Sequence, residues 1–97
     1  MAPIHRVLLL GLDGATFDLL GPWMEDGSLP NLQRLGREGV RGTLTSTRPP
    51  TTAPAWVACV TGTNPGKHGV FDFRESPLLD PHRRLISRQS VRAPTIW

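Results

Sequence analysis

One uninterrupted apolar segment near the amino terminus constrains the fold more than any other feature of the chain. Residues 4–12 read IHRVLLLGL and lead directly into Asp13 and Gly14. A strand with one face in water alternates polar and apolar residues, whereas a parallel strand covered on both faces is apolar almost throughout. We therefore predict that residues 4–12 form a buried parallel strand that ends in a turn at Asp13-Gly14.

Helical and strand-like patterns then alternate along the chain. The apolar residues over 16–24 have a partly helical spacing, and Gly21-Pro22 makes this helix short or kinked. A second helix is predicted to open at Leu29-Pro30-Asn31, with Leu32 and Leu35 on its buried face and with Gly36 and Gly39 marking its end. The Thr-rich residues 40–47 alternate weakly, which favours a strand.

The second half of the chain has fewer regular patterns. Residues 53–60 predict a third helix with Pro54 in its first turn. A turn-rich loop is expected over 62–69, and an excursion or loose hairpin over 74–92. Residues 93–97, which read APTIW, are typical of the start of a further helix.

The order strand, helix, strand, helix predicts the α/β class with a mainly parallel sheet. Two or three strands are too few for a complete doubly wound sheet, and the last predicted helix begins where the sequence stops. We therefore expect the chain to be a truncated piece of a larger domain, whose missing part would cover the open sheet.

Composition excludes several classes of protein. The single cysteine, Cys59, cannot form an internal disulfide, so a disulfide-stapled secreted scaffold is excluded. The longest apolar run, residues 7–10, is too short to span a bilayer, and no signal peptide is recognisable. We expect a cytoplasmic protein with no membrane association.

The charge is uneven along the chain. The net charge is +3, and from Arg74 onward five arginines stand against Glu75 and Asp80. An anion-binding or nucleic-acid surface is one interpretation. A solvated face, or a surface that meets missing protein, is favoured because aromatic residues are not interleaved with the arginines. We do not expect nucleic acid as a partner.

Asp13 is the first residue whose position suggests chemistry. In open α/β sheets, ligands gather at the carboxyl ends of the strands, and Asp13 follows the predicted strand between glycines that let the backbone turn. Carboxylate oxygens bind Zn²⁺ and Mg²⁺. An aspartate that only stabilises its own turn is the structural alternative, and the two interpretations stay open here.

Thr51 and Thr52 lie at the predicted start of the third helix. A hydroxyl at that place commonly serves as a helix N-cap. The same place suits a nucleophile that attacks phosphorus, because the backbone N–H groups and the helix dipole favour a phosphate. A threonine needs a metal or a base to become a nucleophile, so without further context the cap interpretation is favoured.

Two other phosphate-related patterns fail on inspection. Residues 62–69, GTNPGKHG, resemble a P-loop, but only three residues separate Gly62 from Gly66 where four are needed, and His68 replaces the Ser or Thr. A histidine in a loop, such as His68, is more often a local hydrogen-bonding residue than a ligand. A haloacid-dehalogenase-type site is excluded because Gly11 stands where the nucleophilic aspartate would be.

The order of the motifs is more specific than any one of them. It resembles the type I phosphodiesterase/nucleotide pyrophosphatase family of the alkaline phosphatase superfamily, over roughly residues 4–73. The motifs that carry the resemblance are Leu12-Asp13-Gly14, Leu29-Pro30-Asn31-Leu32, Pro50-Thr51-Thr52-Ala53-Pro54-Ala55-Trp56, Thr61-Gly62, Asn64-Pro65 and His68-Gly69-Val70.

The resemblance implies an alkaline-phosphatase-like sandwich and a two-metal phosphoester hydrolase, usually with zinc. Asp13 matches the first metal-binding aspartate, and Thr52 matches the nucleophilic threonine that also contacts a metal. The reaction would pass through a phosphothreonine that water then cleaves, and the substrate would be a small-molecule phosphoester. His68 matches a position that we interpret as structural.

The chain departs from the family in ways that bear on substrate and completeness. Ala53-Pro54-Ala55-Trp56 replaces the usual Phe-Pro-Asn-His, and Phe73 stands near a usual phosphoryl-binding Asn, so a nucleotide substrate is not implied. The other Asp and His metal ligands of the family lie downstream of Trp97. We expect residues 1–73 to be the amino-terminal part of the catalytic domain, residues 74–97 a basic excursion with a truncated helix start, and the piece alone to be inactive. The alternative is a non-catalytic α/β interaction fragment with an Arg-rich tail.

Overall fold

The computed structural model describes Pro3 and residues 6–97. The chain divides into two units, Met1–Thr43 and Leu44–Trp97. Each unit has its own pair of packed helices, and each is described by itself below. Among the described residues, none of the helices has the length and apolar character needed to cross a membrane.

The first helix, α1, spans Phe17–Glu25. Its N-cap is Thr16, whose hydroxyl accepts a hydrogen bond from the Asp18 amide at 3.3 Å. Pro22 lies inside the helix, as the sequence predicts, and the helix continues for less than one further turn before Asp26 ends it. The predicted short helix is therefore confirmed.

The second helix, α2, spans Pro30–Glu38. Proline at its first position has a backbone that already suits the helix and lacks only an N–H that would be unpaired there. The helix ends at Gly39, whose amide donates to the Leu35 carbonyl at 2.9 Å. The predicted start and the end at Gly39 are confirmed, whereas Gly36 lies inside the helix. Leu35, which was expected on the buried face, is 64% exposed, although α2 packs against α1.

The predicted strand over 4–12 is absent from the described part of the chain. Ile4 and His5 lie outside the described residues, and residues 6–12 form no strand. The side chains of Val7 and Leu8 are 87% and 90% exposed rather than buried. A strand exists only where a neighbour pairs with its backbone groups, and no other described segment supplies that neighbour.

The second predicted strand, over 40–47, is missing from the described residues for the same reason. Val40 and Leu44 are 102% and 94% exposed. Since Pro3 and residues 6–97 include no strand at all, the parallel sheet of the expected α/β fold stays a prediction. Of the predicted alternation of strands and helices, the structure confirms the three helices α1, α2 and the one over Thr52–Thr61.

The second unit is built around a ten-residue helix, α3, which spans Thr52–Thr61. The predicted helix over 53–60 is confirmed and is one residue longer at each end. Gly62 ends α3 in the left-handed conformation, with φ 65°, which glycine adopts without steric cost. A one-turn helix, α4, spans Pro65–His68 inside the predicted loop, and the Asn64 side chain caps it by accepting from the Lys67 amide at 3.1 Å.

A short antiparallel pairing follows α4. Arg74 and Leu85 form an isolated bridge, the Glu75 amide donates to the Arg84 carbonyl at 2.8 Å, and the Ile86 amide donates to the Phe73 carbonyl at 2.9 Å. The loose hairpin expected in this region is therefore present. A single turn of 3₁₀-helix, Arg88–Ser90, comes next.

The end of the chain differs from the prediction. Residues 93–97 form no helix in the structure. The Ile96 amide instead donates to the Val60 carbonyl at 2.9 Å, near the end of α3. That bond ties the segment to α3, and the described residues 93–97 make no helical turn.

Candidate active site

Asp13 lies in the turn that follows the apolar segment, with its side chain exposed. Gly14 has φ 68°, so the turn needs a glycine there. The carboxylates of Asp26 and Asp80 each accept the amide two residues ahead, from Ser28 at 2.8 Å and from His82 at 3.0 Å. The Asp13 carboxylate accepts no hydrogen bond from a described residue. The interpretation of Asp13 as a turn-stabilising aspartate therefore gains no support, and its carboxylate oxygens stay available to a ligand.

Thr52 is the first residue of α3, and Thr51 is the N-cap. The Thr51 side chain makes no capping hydrogen bond, although Thr16 and Asn64 do so at the starts of α1 and α4. Since Thr52 stands inside the helix, its hydroxyl does not occupy the capping position either. The structure therefore does not bear out the cap interpretation that the sequence alone favours.

The first turn of α3 is firmly packed. Ala53 and Pro54 are buried, Thr52 is half-buried and Thr51 is exposed. The amides of Thr52 and Ala53 open the helix, and Pro54 has no amide hydrogen to offer. A phosphoryl oxygen near the Thr52 hydroxyl would thus meet two backbone donors and the positive end of the helix dipole.

His68 is buried inside the second unit and is not exposed to a ligand. Its side chain is 0% exposed, and its Nδ1 accepts a hydrogen bond from the Val70 amide at 3.1 Å. Burial lowers the pKa of His68 below its ordinary value of 6.5, and a smaller opposing effect comes from the Pro54 carbonyl as hydrogen-bond acceptor. The expected local hydrogen-bonding role is confirmed, and the ring is neutral at pH 7.

The arginines of the final quarter are largely engaged with the chain itself. Arg84 Nε lies 2.7 Å from Asp80 Oδ2, and the hydrogen bonds from Arg84 lower the pKa of the Asp80 carboxyl. Arg83 lies 3.5 Å from the Asp72 carboxylate, and Arg74 donates to the Arg83 carbonyl at 3.1 Å. These contacts leave fewer arginines to form a surface for an acidic partner.

Sequence reasoning missed the buried Asp80 and its role in this segment. Asp80 is 5% exposed and accepts hydrogen bonds from the His82 amide, the Arg84 amide and the Arg84 side chain. The dipeptide Asp80-Pro81 was a usable signal, because an aspartate before proline favours the start of a turn. Asp80 is thereby explained as the centre of a turn and not as a metal ligand.

The metal donors that the described residues offer are few. In Pro3 and residues 6–97, there is no cluster of three or more His, Cys, Asp or Glu side chains that would hold a metal ion. Asp13 belongs to the first unit and Thr52 to the second. A carboxylate and a hydroxyl are both oxygen donors that suit a divalent cation, so they fit part of a metal site and do not complete one.

Comparison with known proteins gives one result. The sequence model of the type I phosphodiesterase / nucleotide pyrophosphatase family matches residues 7–97, a range that includes Asp13 and Thr52. Searches of the curated proteins and of the solved structures found no match to this chain. The family match agrees with the resemblance seen in the motifs and extends it through the hairpin, so the chain belongs to the type I phosphodiesterase/nucleotide pyrophosphatase family.

Proposed function

We propose that this chain contributes to a metal-dependent phosphoester hydrolase in which Thr52 is the nucleophile. The family is a family of phosphodiesterases and pyrophosphatases and is generally metal-dependent. The observation that carries the assignment to Thr52 is the start of α3. Thr52 stands at the first helical position, half-buried beside two backbone donors, and no capping role accounts for a threonine there.

Asp13 and Thr52 are the residues that would hold metal on this chain. We propose two divalent cations, with zinc as the expected identity, and further ligands outside the described residues. When bound, such cations would lower the pKa of the threonine hydroxyl and offset the negative charge of the phosphoryl group. Asp13 supplies a carboxylate that its own turn does not use.

The residues of α3 have separate roles in the proposed reaction. The Thr52 hydroxyl would lose its proton to solvent, and its oxygen would bond to phosphorus while the bond from phosphorus to the leaving oxygen breaks on the opposite side. Water would then cleave the phosphothreonine, and the Thr52 oxygen would regain a proton. The amides of Thr52 and Ala53 can stabilise the equatorial oxygens as their charge grows. Burial of Ala53 and Pro54 fixes the turn that presents these groups, so little reorganisation is needed during the reaction.

The substrate we propose is a small-molecule phosphoester without a specified nucleotide. Residues 53–56 differ from the sequence usual in the nucleotide pyrophosphatases, and Trp56 and Phe73 are both exposed. Exposed aromatic faces at these positions favour an apolar or aromatic leaving group. We also propose that the apolar segment 6–12 is a strand of an alkaline-phosphatase-like sheet. The boundary between the catalytic part, residues 1–73, and the basic excursion, residues 74–97, stays a prediction, as does the cytoplasmic location.

The alternative of a non-catalytic interaction fragment gains no specific support. It depends on free arginines in the last quarter, and three of these, Arg74, Arg83 and Arg84, bond to acceptors within the second unit. Their charge is partly neutralised by Asp72 and Asp80. We therefore retain the hydrolase as the proposal.

The direct test compares the two neighbouring threonines in protein expressed from the complete open reading frame. Thr52→Ala should abolish zinc-dependent hydrolysis of a nitrophenyl phosphodiester and leave the fold intact, because a lost helix cap costs only about 1 kcal/mol and Thr52 is not a cap. Thr51→Ala is the matched control and should retain turnover. Full activity of purified Thr52→Ala would refute the nucleophile assignment.

A further inference from the structure

A cavity of about 200 Å³ lies in the second unit, against the short antiparallel hairpin. Its walls come from the segment that follows α4 and from both arms of the hairpin, and they include Val70, Phe71, Arg74, Arg83 and Ile86. Pockets for drug-sized ligands have volumes of about 300–1,000 Å³, so this cavity suits a smaller ligand. The side chains that line it indicate the chemistry of that ligand.

Two guanidinium groups line the cavity, and contacts within the chain hold both of them. Arg74 Nη1 donates to the Arg83 carbonyl at 3.1 Å, and Arg83 Nη2 lies 3.5 Å from Asp72 Oδ2. A guanidinium has five N–H donors, and each of these contacts engages only one nitrogen of its arginine. Both groups are therefore held in place while most of their donors stay available to a ligand.

The carboxylates that line the same cavity are already engaged. Asp72 Oδ1 accepts a hydrogen bond from the Phe73 amide at 2.7 Å, and its Oδ2 faces Arg83. Glu75 Oε1 accepts from the Ser90 hydroxyl. Available donors thus outnumber available acceptors in the cavity, which favours a ligand with several acceptor oxygens over a cation.

A turn built on Asp80 fixes the backbone of Arg83. The Arg83 amide donates to the Asp80 carbonyl at 2.9 Å, and the Asp80 carboxylate accepts from the Arg84 amide at 3.1 Å. Arg83 has φ 48°, a left-handed conformation that an arginine rarely adopts and that persists only where its surroundings fix it. Because Arg74 bonds to the Arg83 carbonyl, this turn helps to set the positions of both arginines.

The rest of the lining consists of a hydroxyl group and an apolar wall. Ser76 Oγ accepts from the Leu78 amide at 3.3 Å, so its hydroxyl hydrogen can be donated to a ligand. Phe71 and Ile86 contribute apolar surface, and Phe71 is 47% exposed. The cavity therefore places donors for an oxyanion beside a surface that an organic group can cover.

We propose that this cavity binds a small organic phosphate monoester, with its phosphate group on Arg74 and Arg83 and its organic group against Phe71 and Ile86. Guanidinium groups suit this role, because their parallel N–H donors match two oxygens of one phosphate group. Hydrolysis of a phosphodiester releases a monoester, so the chemistry of the family supplies a ligand of this class. Binding at this site requires neither Thr52 nor a metal ion, and it goes beyond the proposed hydrolysis.

Calorimetric titration with phenyl phosphate tests the site in protein from the complete open reading frame. Metal is removed by chelation, so that the proposed metal site does not bind the phosphate group. Arg74→Gln and Arg83→Gln should each weaken binding at least about 10-fold, because a hydrogen bond to a charged group contributes about that factor or more. Arg88→Gln is the matched control and should bind as the wild type does, because Arg88 is exposed on the 3₁₀ turn and does not line the cavity.

Titration with inorganic phosphate separates the two sources of a phosphate group. Inorganic phosphate should bind more weakly than phenyl phosphate, because it has no apolar group to place against the wall. Absence of phenyl phosphate binding in the wild type, or unchanged binding in both Arg74→Gln and Arg83→Gln, would overturn the site. Equal affinity for the two ligands would overturn the assignment to a monoester. Thr52→Ala should bind phenyl phosphate normally, so a failure of the proposed function would leave this result standing.

Chemical protection of the wild-type protein tests the same site even if both arginine variants fail to fold. Phenylglyoxal modifies accessible arginine side chains, and mass spectrometry of peptides measures the rate at each one. Phenyl phosphate should slow the modification of Arg74 and Arg83 several-fold and leave the rate at Arg88 unchanged. Equal rates at Arg74 and Arg83 with and without phenyl phosphate would overturn the proposal.

Discussion

The two units of this chain differ in the contacts that hold them together. In the first, neighbouring residues make the helices and the apolar segment over 6–12 has no described partner, so Val7 and Leu8 remain exposed. In the second, hydrogen bonds join residues far apart in sequence, such as Ile96 to Val60 and Arg92 to His68. The first unit is therefore held mainly by local contacts, whereas the second is also held by contacts between distant residues, although it too leaves large apolar side chains such as Leu78 exposed.

This difference bears on the proposed function, because each unit contains one of the two residues to which we assign a role. Thr52 lies on a helix whose first turn is buried at Ala53 and Pro54. Asp13 lies in an exposed turn after the unpaired apolar segment. The position of the proposed nucleophile is thus set within its own unit, whereas the proposed metal ligand follows a segment for which no described residue forms a paired strand.

The largest effect we expect concerns the 97-residue polypeptide expressed alone. It should show no zinc-dependent phosphodiester hydrolysis and should aggregate, because Leu8 and its neighbours expose a contiguous apolar surface and the metal donors are incomplete. Amide-proton dispersion in the NMR spectrum and nitrophenyl phosphodiester turnover are the measurements. A well-dispersed monomer with turnover would mean that the first unit needs no further partner.

Asp13→Asn in the complete reading frame should give the next largest effect. Substitution of a residue that only orients a metal ligand typically lowers metal affinity or activity about 10–100-fold. Loss of a ligand carboxylate should therefore lower activity by at least about 100-fold. Bound metal, measured by elemental analysis, should fall with it. Asp26→Asn is a suitable control, because that carboxylate is engaged by Ser28 in its own turn. Normal metal content and turnover in Asp13→Asn would restore the turn interpretation.

A pair of glycine substitutions compares the packing of the two units. Gly27 in the first unit and Gly69 in the second both have positive φ, at 86° and 81°. Alanine at either should destabilise its unit by about 1–2 kcal/mol through the left-handed backbone. A Cβ at Gly27 meets open space, whereas at Gly69 it would lie 3.3 Å from Arg92 Cδ. Gly69→Ala should therefore cost more, by chemical denaturation, and equal costs would mean that Arg92 moves aside freely.

The smallest expected effect is a pH dependence confined to the second unit. Because burial lowers the pKa of His68, the unfolded chain binds a proton more readily than the folded one below pH 6.5. The free energy of unfolding should be highest above pH 6.5 and should fall as the pH drops from 6.5 toward the lowered pKa of His68 in the folded protein. Unfolding of wild type and His68→Gln at several pH values measures this. The slope between pH 6.5 and 5 should vanish in His68→Gln, and an unchanged slope would assign it to another group.

The same contrast explains how much could be predicted from the sequence. Helices were predictable because their signals are local: Pro30 and Gly39 mark the ends of α2, and Pro54 marks the first turn of α3. The predicted strands are not confirmed, because an apolar run such as 6–12 indicates burial but does not specify which segment pairs with it. The assignment of Asp13 and Thr52 came from the order of the motifs, while the burial of His68 and Pro54 depends on tertiary packing, which no spacing reveals.

The most direct test of the account is to find where the phosphoryl group resides during turnover. Enzyme from the complete open reading frame is mixed with a nitrophenyl phosphodiester and zinc, quenched in acid during the first turnover, digested and analysed by mass spectrometry. We expect the phosphoryl adduct on Thr52, and none in Thr52→Ala treated in the same way. An adduct on any other residue, or rapid turnover with Thr52 never modified, would contradict the account.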